Sequence, residues 1–162
     1  ALSLVHNPDL LILDEATTAL DVITQGQILE NIMQLEAKLK IARIMISHDI
    51  SVVAATCKKI AVMYAGTLME TGLVEDVLVE PLHPYTRGLL KSFPAFTGEK
   101  KSVHGIPGSI PDLSALLPGC PFAPRCSFAQ DICRAVEPTP REYARGQRVA
   151  CHFPKGGTER AE

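Results

Sequence analysis

Two largely apolar runs near the start of the chain flank a segment with helical periodicity. The runs are LLIL at residues 10–13 and IARIMI at residues 41–46, and Asp21 precedes the segment between them as a candidate N-cap. Within that segment, aliphatic residues recur at the three- and four-residue spacing of one helix face, at Ile28, Ile32, Leu35 and Leu39. A continuous apolar run is typical of a strand buried on both faces of a parallel sheet. Strand, helix and strand therefore predict a βαβ unit with parallel strands.

The next part of the chain shows a strand pattern with a turn in its middle. KIAVMYAGTLMETG, residues 59–72, predicts a β-hairpin that turns at Ala65 and Gly66. Short helices are predicted around this hairpin, over residues 51–57, 75–80 and 85–92. The mixture of helices and strands places this part of the chain in the α/β class.

The composition changes after residue 93, where the periodicity is lost. Residues 95–119 are rich in Gly, Pro and Ser, which predicts a linker or an irregular wrapped segment. The cysteine-containing segment that follows is rich in Pro and Arg, so we expect an irregular extension without long regular elements. Residues 155–162, KGGTERAE, are expected to be a mobile tail.

Length, composition and charge narrow the class of protein. With 162 residues and 46% hydrophobic content, the chain can bury the core of one domain, or of a small domain with an appendage. A formal net charge of -2 gives no electrostatic reason to expect nucleic acid as a partner. No apolar run approaches the roughly 20 residues that span a bilayer, and the N-terminus lacks the layout of a signal peptide. Because the sequence also lacks an initiating Met, we expect it to be part of a longer protein.

Polar residues follow both predicted strands directly. Asp14 and Glu15 come after the run LLIL, and Ser47, His48 and Asp49 come after the second run. The carboxyl ends of parallel strands meet at one edge of a sheet, which is where open α/β sheets bind ligands. We therefore expect His48 to lie within reach of Glu15.

An aliphatic run followed by Asp-Glu is the Walker B pattern. Successive strand residues point to opposite faces, so Asp14 and Glu15 would have different tasks. In a Walker B segment the Asp holds Mg²⁺ through water, and the Glu polarises the water that attacks the γ-phosphate. The alternative for the acids is an exposed strand end that begins a turn, and the alternative for His48 is a capping or structural role.

Two segments together resemble parts of ABC-type ATPases. LLILDEATTALD at residues 10–21 resembles the Walker B segment and the D-loop, and ISHD at residues 46–49 resembles the switch-histidine loop. The resemblance implies a partial P-loop NTPase sheet with helices, and the use of ATP and Mg²⁺. Family members commonly have Pro where this chain has Ala16, which changes the stiffness of the turn and not its chemistry.

The resemblance also implies roles for individual residues. Asp14 would serve Mg²⁺, Glu15 would be the general base and His48 would contact the γ-phosphate. Asp21 would lie in the D-loop, which meets the opposite ATPase protomer. The sequence has no G-x-x-x-x-G-K-S/T loop to cradle phosphates and no LSGGQ signature. We therefore expect the C-terminal part of such an ATPase, which by itself would not bind ATP tightly.

The segment PLHPYTRGLL, residues 81–90, narrows the resemblance. With the cysteine-bearing extension behind it, this segment resembles the ATP-binding subunits of oligopeptide and dipeptide importers, a group that includes nickel importers. For His83, Pro84 and Tyr85 themselves we favour a structural role as a helix start, because Pro suits the first helical turn.

The chain has five cysteines, and four of them cluster toward its C-terminal end. Cys120, Cys126, Cys133 and Cys151 are separated by five, six and seventeen residues, and no C-x-x-C pair of the zinc-finger type occurs. In the family that the chain resembles, some members carry a [4Fe–4S] cluster in this extension, and four thiolates can ligate one. Zn²⁺ and free or disulfide-bonded thiols are the alternatives, since spacing alone does not identify the metal.

Other side chains near this cluster have simpler expectations. His152 could replace one thiolate, and Cys57 is expected to be a small buried apolar residue. Arg125 and Arg134 could offset the negative charge of a four-thiolate cluster, or they could be solvated surface residues.

The resemblance predicts the organisation, partners and location of the protein. It divides the chain into an ATPase portion over residues 1–80, an extension over residues 81–154 and the tail. It implies a second ATPase subunit, membrane permeases and a separate substrate-binding protein as partners, at the cytoplasmic inner face of the cell membrane. A non-catalytic metal-binding module for regulation or docking is the alternative, and a soluble ABC ATPase of translation or DNA repair is disfavoured by the cysteine extension.

Overall fold

A computed structural model describes residues 4, 6–92, 105–112, 114, 117–143 and 146–154 of the chain. The chain forms two compact units, Ala1–Lys58 and Lys59–Glu162. The expected tail at 155–162 and much of the expected linker at 95–119 lie outside the described residues. No helix in the described part of the chain combines the length and the apolar character that a membrane crossing requires.

The first unit is the predicted βαβ arrangement followed by a short helix. Its elements are β1 (Leu10–Asp14), α1 (Val22–Leu39), β2 (Ala42–Ile46) and α2 (Ile50–Thr56). The two strands pair in parallel along their whole length, from Leu10 opposite Ala42 to Asp14 opposite Ile46. This pairing confirms the prediction of parallel strands joined by a helix.

Helix α1 has well-defined ends, which explains why its limits could be predicted. Asp21 caps its first turn, with Oδ1 accepting hydrogen bonds from the backbone N–H groups of Ile23 and Thr24. At the other end, Lys40 adopts a left-handed conformation with φ of 56° and donates its N–H to the carbonyl oxygen of Glu36.

One face of the β1–β2 sheet is open, and here the prediction of a strand buried on both faces is wrong. Leu10, Ile12, Ile44 and Ile46 retain 46%, 59%, 49% and 50% of their exposure, whereas Leu11 retains 8%. The burial therefore alternates along β1, because no described residues of this unit cover the second face of the sheet.

The second unit is built around a four-stranded antiparallel sheet. In chain order its elements are β3 (Lys59–Tyr64), β4 (Thr67–Leu73), α3 (Val74–Val79), α4 (Pro84–Lys91), a 3₁₀ turn (Ala123–Arg125), α5 (Asp131–Ala135), β5 (Arg141–Glu142) and β6 (Arg148–Val149). The strand order in the sheet is β3-β4-β6-β5. The hairpin is therefore part of the same sheet as the C-terminal strands, which is why the compact units divide near residue 58 and not near residue 80. The assignment of residues 1–80 to an ATPase portion stays a prediction.

The β3–β4 hairpin turns where the sequence predicts. Ala65 and Gly66 have φ angles of 49° and 79°, and two consecutive positive values suit the tight turn between twisted antiparallel strands. The end of β3 packs into an aromatic core, because the Tyr64 ring lies 4.8 Å from the Tyr85 ring and 5.3 Å from the Phe122 ring, centroid to centroid.

A buried carboxylate ties three parts of the second unit together. Glu70 on β4 is only 1% exposed. Its two oxygens accept hydrogen bonds from the backbone N–H groups of Leu82 and His83, at 2.7 and 3.1 Å, and Oε1 also accepts from the side-chain amide of Gln147 at 2.6 Å. The segment before α4 and the segment before β6 are thereby held to the central strand, and the buried backbone N–H groups of Leu82 and His83 would lose their acceptor without the carboxylate.

The Glu70 contacts predict a stability effect. Glu70→Gln replaces one accepting oxygen by an NH₂ group that faces N–H donors, so we expect the free energy of unfolding to fall by roughly 2–3 kcal/mol. Urea denaturation followed by far-UV circular dichroism measures this loss. Glu142→Gln, at an exposed position on β5, is the matched control and should change the stability by less than about 0.5 kcal/mol. Equal effects of the two substitutions would contradict the role given to Glu70.

Candidate functional site

The carboxyl ends of β1 and β2 form the first candidate site. Glu15 follows β1 with φ of 45°, and its backbone N–H donates to the carbonyl oxygen of Ile46 at 2.9 Å. A left-handed conformation is unusual for a residue other than Gly and is found preferentially at functional sites. The turn at Glu15 is thus fixed by the end of the neighbouring strand.

Glu15 and His48 lie in direct contact at this edge. Nδ1 of His48 is 3.1 Å from Oε1 of Glu15, and the hydroxyl of Thr18 donates to Oε2 at 3.3 Å. The side chain of Glu15 is 50% exposed and that of His48 is 67% exposed, so a ligand can reach both residues. The structure therefore brings together the two residues predicted to be catalytic, whose roles stay predictions.

The other two acids predicted for this site differ in what they contact. Asp14 is exposed at the last position of β1. Asp21 caps α1, and its Oδ2 accepts a 2.6 Å hydrogen bond from the Thr24 hydroxyl. That bond, together with the backbone N–H groups of Thr24 and Ile23, lowers the pKa of Asp21 and keeps it an anion. Asp21 therefore has a structural role in α1 and is exposed at the start of this helix.

The second candidate site is a cavity lined by all four clustered cysteines, in the second unit. Cys120 precedes the 3₁₀ turn, Cys126 follows it, Cys133 lies on α5 and Cys151 follows β6. The aromatic side chains of Phe122, Phe128 and Phe153 also line the cavity. A 2.8 Å hydrogen bond from the N–H of Cys120 to the carbonyl oxygen of Cys133 holds the backbone of these two cysteines together.

The surroundings of the cysteines act on their ionisation in two opposing ways. Burial raises the pKa of Cys120 and Cys126, and it raises the pKa of Cys151 to about 12. In the other direction, hydrogen bonding by backbone N–H groups lowers the pKa, from Phe122 and Ala123 at Cys120, from Phe128 at Cys126 and from Phe153 at Cys151. Thiols that are buried in an apolar cavity but surrounded by N–H donors are suited to ionise when a cationic group binds them.

The four clustered cysteines are the candidate metal ligands of the chain, and they line one cavity. Within the described residues, no group of three or more His, Cys, Asp or Glu side chains is placed to hold a metal ion.

His83 also lines the cysteine cavity, which the sequence did not indicate. The ring is 1% exposed, and burial lowers its pKa to about 4, so it is neutral at physiological pH. Its Nδ1 accepts the backbone N–H of Tyr85 at 3.0 Å and caps α4, which confirms the predicted helix start. No pattern in the sequence links this residue to cysteines that follow it by more than 30 positions.

The remaining side chains considered for the cluster have other contacts. The three guanidinium nitrogens of Arg125 donate to the carbonyl oxygens of Pro107 and Ile106 and to the hydroxyl of Tyr64. Arg134 is exposed, and neither arginine is among the described residues that line the cavity. His152 does line it, and its Nε2 donates to the carbonyl oxygen of Val136 at 2.9 Å.

Several known proteins are similar to this chain. Residues 69–133 match the family model described as "Oligopeptide/dipeptide transporter, C-terminal region". The chain is 46% identical to the oligopeptide transport ATP-binding protein OppD of Escherichia coli (strain K12) over 154 residues, which cover 95% of this chain and 45% of OppD. It is 42% identical to the dipeptide transport ATP-binding protein DppD of the same organism, over 95% of this chain and 47% of DppD. The oligopeptide transport ATP-binding protein AppD of Bacillus subtilis (strain 168) is 44% identical over 93% of this chain and 46% of AppD.

Over 93–95% of its length, the chain is similar to the C-terminal part of transport ATP-binding proteins for oligopeptides or dipeptides, and residues 69–133 match the family model of such a C-terminal region. The chain spans less than half the length of the relatives it matches, 45% of OppD and 47% of DppD.

The loop geometry of the cysteine cavity yields a prediction. A Cβ atom at Gly119 would overlap the carbonyl oxygen of Cys133 and lie 2.6 Å from that of Arg134. Gly119→Ala should therefore lower the free energy of unfolding by roughly 1–3 kcal/mol and separate Cys120 from Cys133. Gly105→Ala is the control, because a Cβ there would meet nothing within 4 Å. Thermal unfolding of the two variants is the measurement, and equal midpoints would show that Gly119 is not required.

Proposed function

We propose that this chain is the C-terminal part of an ATP-hydrolysing subunit that powers peptide import by an ABC transporter. The observation that carries the proposal is the 3.1 Å contact between Glu15 and His48 at the carboxyl ends of two parallel strands. The names of OppD, DppD and AppD, which describe transport ATP-binding proteins for oligopeptides or dipeptides, support the same function for this chain.

The residues of the strand edge suit the chemistry of ATP hydrolysis. Asp14 offers an exposed carboxylate, which is the hard oxygen ligand that Mg²⁺ prefers, and would hold this ion through water. Bound Mg²⁺ would neutralise the charge of the phosphates. Glu15 would polarise the attacking water, while His48 holds the Glu15 carboxylate in place and contacts the γ-phosphate.

Partners follow from the same proposal. Asp21, exposed at the start of α1, would face a second ATPase subunit, so that two subunits close around ATP. Closure would act on membrane permeases at the inner face of the cell membrane, and a separate binding protein would select the peptide. In the intact protein, the open apolar face of the β1–β2 sheet is the natural contact for the rest of the ATPase portion.

For the cysteine cavity we propose a [4Fe–4S] cluster held by Cys120, Cys126, Cys133 and Cys151. The support for this proposal is that all four cysteines line one cavity, since four thiolates can ligate such a cluster. A cluster binds each thiolate through a different iron atom, and N–H groups directed at the sulfur atoms, as found at three of the four cysteines, tune its reduction potential.

The proposed general base is tested in a protein that joins this chain to the upstream part of its subunit. Glu15→Gln keeps the size of the side chain but removes the carboxylate, so it should retain ATP binding and lower the hydrolysis rate at least about a hundredfold. Phosphate release and nucleotide binding are measured in parallel. Glu30→Gln, an exposed substitution on α1, is the matched control. Wild-type hydrolysis in Glu15→Gln would refute the assignment, and absence of ATP binding in the wild-type protein would favour the non-catalytic metal-binding module.

The proposed cluster is tested by chemical analysis after anaerobic purification. The wild-type chain should contain iron and acid-labile sulfide in equal amounts. Cys133→Ser removes a buried thiol that lines the cavity and should lose most of both, because a hydroxyl is a poor ligand for iron in a cluster. Cys57→Ser, in the first unit and not among the residues that line the cavity, should retain both. Zinc without sulfide in the wild-type chain would contradict the proposal.

A further inference from the structure

His83 carries a buried hydrogen-bond donor without a partner at the cysteine cavity. The side chain is 1% exposed, its ring lines the cavity, and its Nε2 has no hydrogen-bond partner among the described residues. Buried polar atoms in native proteins are nearly always hydrogen-bonded, so an unsatisfied one calls for a physical explanation. The four cysteines that line the same cavity as His83 supply one.

The hydrogen bond at the other ring nitrogen determines where the proton is. Nδ1 of His83 accepts the backbone N–H of Tyr85, at 3.0 Å, and can accept only if it carries no hydrogen. In a neutral imidazole the proton must then reside on Nε2. Nε2 is therefore a donor that requires an acceptor.

The hydrogen bond at Nδ1 and the packing around His83 hold the ring in this orientation. The backbone N–H of His83 donates to the buried carboxylate of Glu70 at 3.1 Å. The ring of Pro84 fixes its own φ angle at the start of α4, so the backbone on both sides of the His83 side chain is held. The Phe122 ring packs beside the imidazole, with centroids 5.9 Å apart. The donor is thus held at the cavity before any group binds there.

We propose that His83 is a positioning residue that donates its Nε2–H to a sulfur atom of the group held by the four cysteines. The inference rests on the proposed [4Fe–4S] cluster, whose thiolate and sulfide atoms are hydrogen-bond acceptors. A hydrogen bond to cluster sulfur stabilises the reduced state, which carries more negative charge, and therefore raises the reduction potential. His83 would set the potential of the cluster without ligating iron.

Two substitutions separate this role from the capping of α4. Asn places an oxygen near the position of Nδ1, so His83→Asn keeps the cap and removes the donor at the cavity. Gln reaches the position of Nε2, so His83→Gln keeps an N–H donor at the cavity and removes the cap. Each variant of the full chain is purified anaerobically, analysed for iron and sulfide, and titrated with redox mediators while the reduced cluster is followed by electron paramagnetic resonance.

The expected results run in opposite directions for the two variants. His83→Asn should keep the wild-type melting temperature and lower the equilibrium constant for one-electron reduction about tenfold, which corresponds to a shift of about 59 mV to more negative potential. His83→Gln should melt at lower temperature and keep a potential near that of the wild-type protein.

The possible failures are distinguishable. If the wild-type chain contains neither iron nor sulfide, it holds no cluster, and both proposals are overturned. A His83→Asn variant that contains the cluster and has an unchanged reduction potential would overturn the proposed hydrogen bond to sulfur, but not the proposed cluster. If the reduction potential falls only in the variant whose melting temperature falls, His83 acts through the packing of α4 and not through a hydrogen bond to sulfur.

Discussion

The hydrogen bonds of one buried carboxylate organise the second unit. Glu70 holds the backbone at Leu82 and His83 on one side and the side chain of Gln147 on the other. Beside it, β6 pairs with β4 at Val149, and the N–H of Ala150 donates to the carbonyl oxygen of Met69 at 2.9 Å. These contacts place both the imidazole ring and Cys151 at the cavity. A carboxylate buried without its donors would be costly, so the three segments are ordered together.

The first unit depends on a local constraint of a different kind. Parallel pairing brings the ends of β1 and β2 to one edge, and the N–H of Glu15 completes the pairing by donating to Ile46. The resulting left-handed turn directs the carboxylate to His48. The backbone geometry of this turn therefore brings a carboxylate and an imidazole into contact. The left-handed conformation of Glu15 costs some strain, because Glu15 is not a Gly.

Local patterns made much of this structure predictable. The βαβ unit, the hairpin turn and the cap of α1 follow from periodicity and from residues such as Asp21 and Gly66, whose preferences act over a few positions. The proximity of Glu15 and His48 followed from the rule for parallel strands. The open face of β1 did not, because an apolar run looks the same whether one or both faces are covered.

The features of the second unit that the sequence missed come from long-range contacts. The strand β6 has two residues, which are too few to show a periodic pattern. In the sequence, Glu70 looks like an exposed strand residue, because its hydrogen-bond partner Gln147 is far away along the chain. Likewise His83 could be predicted as a helix cap but not as part of a cavity formed by Cys120 and Cys151.

The central proposal is that these four cysteines hold a [4Fe–4S] cluster. X-ray absorption at the iron edge of the anaerobically purified chain tests it most directly. The proposed cluster predicts iron–iron scattering in addition to sulfur neighbours. A spectrum with sulfur neighbours alone around a single metal atom, of iron or of zinc, would contradict it.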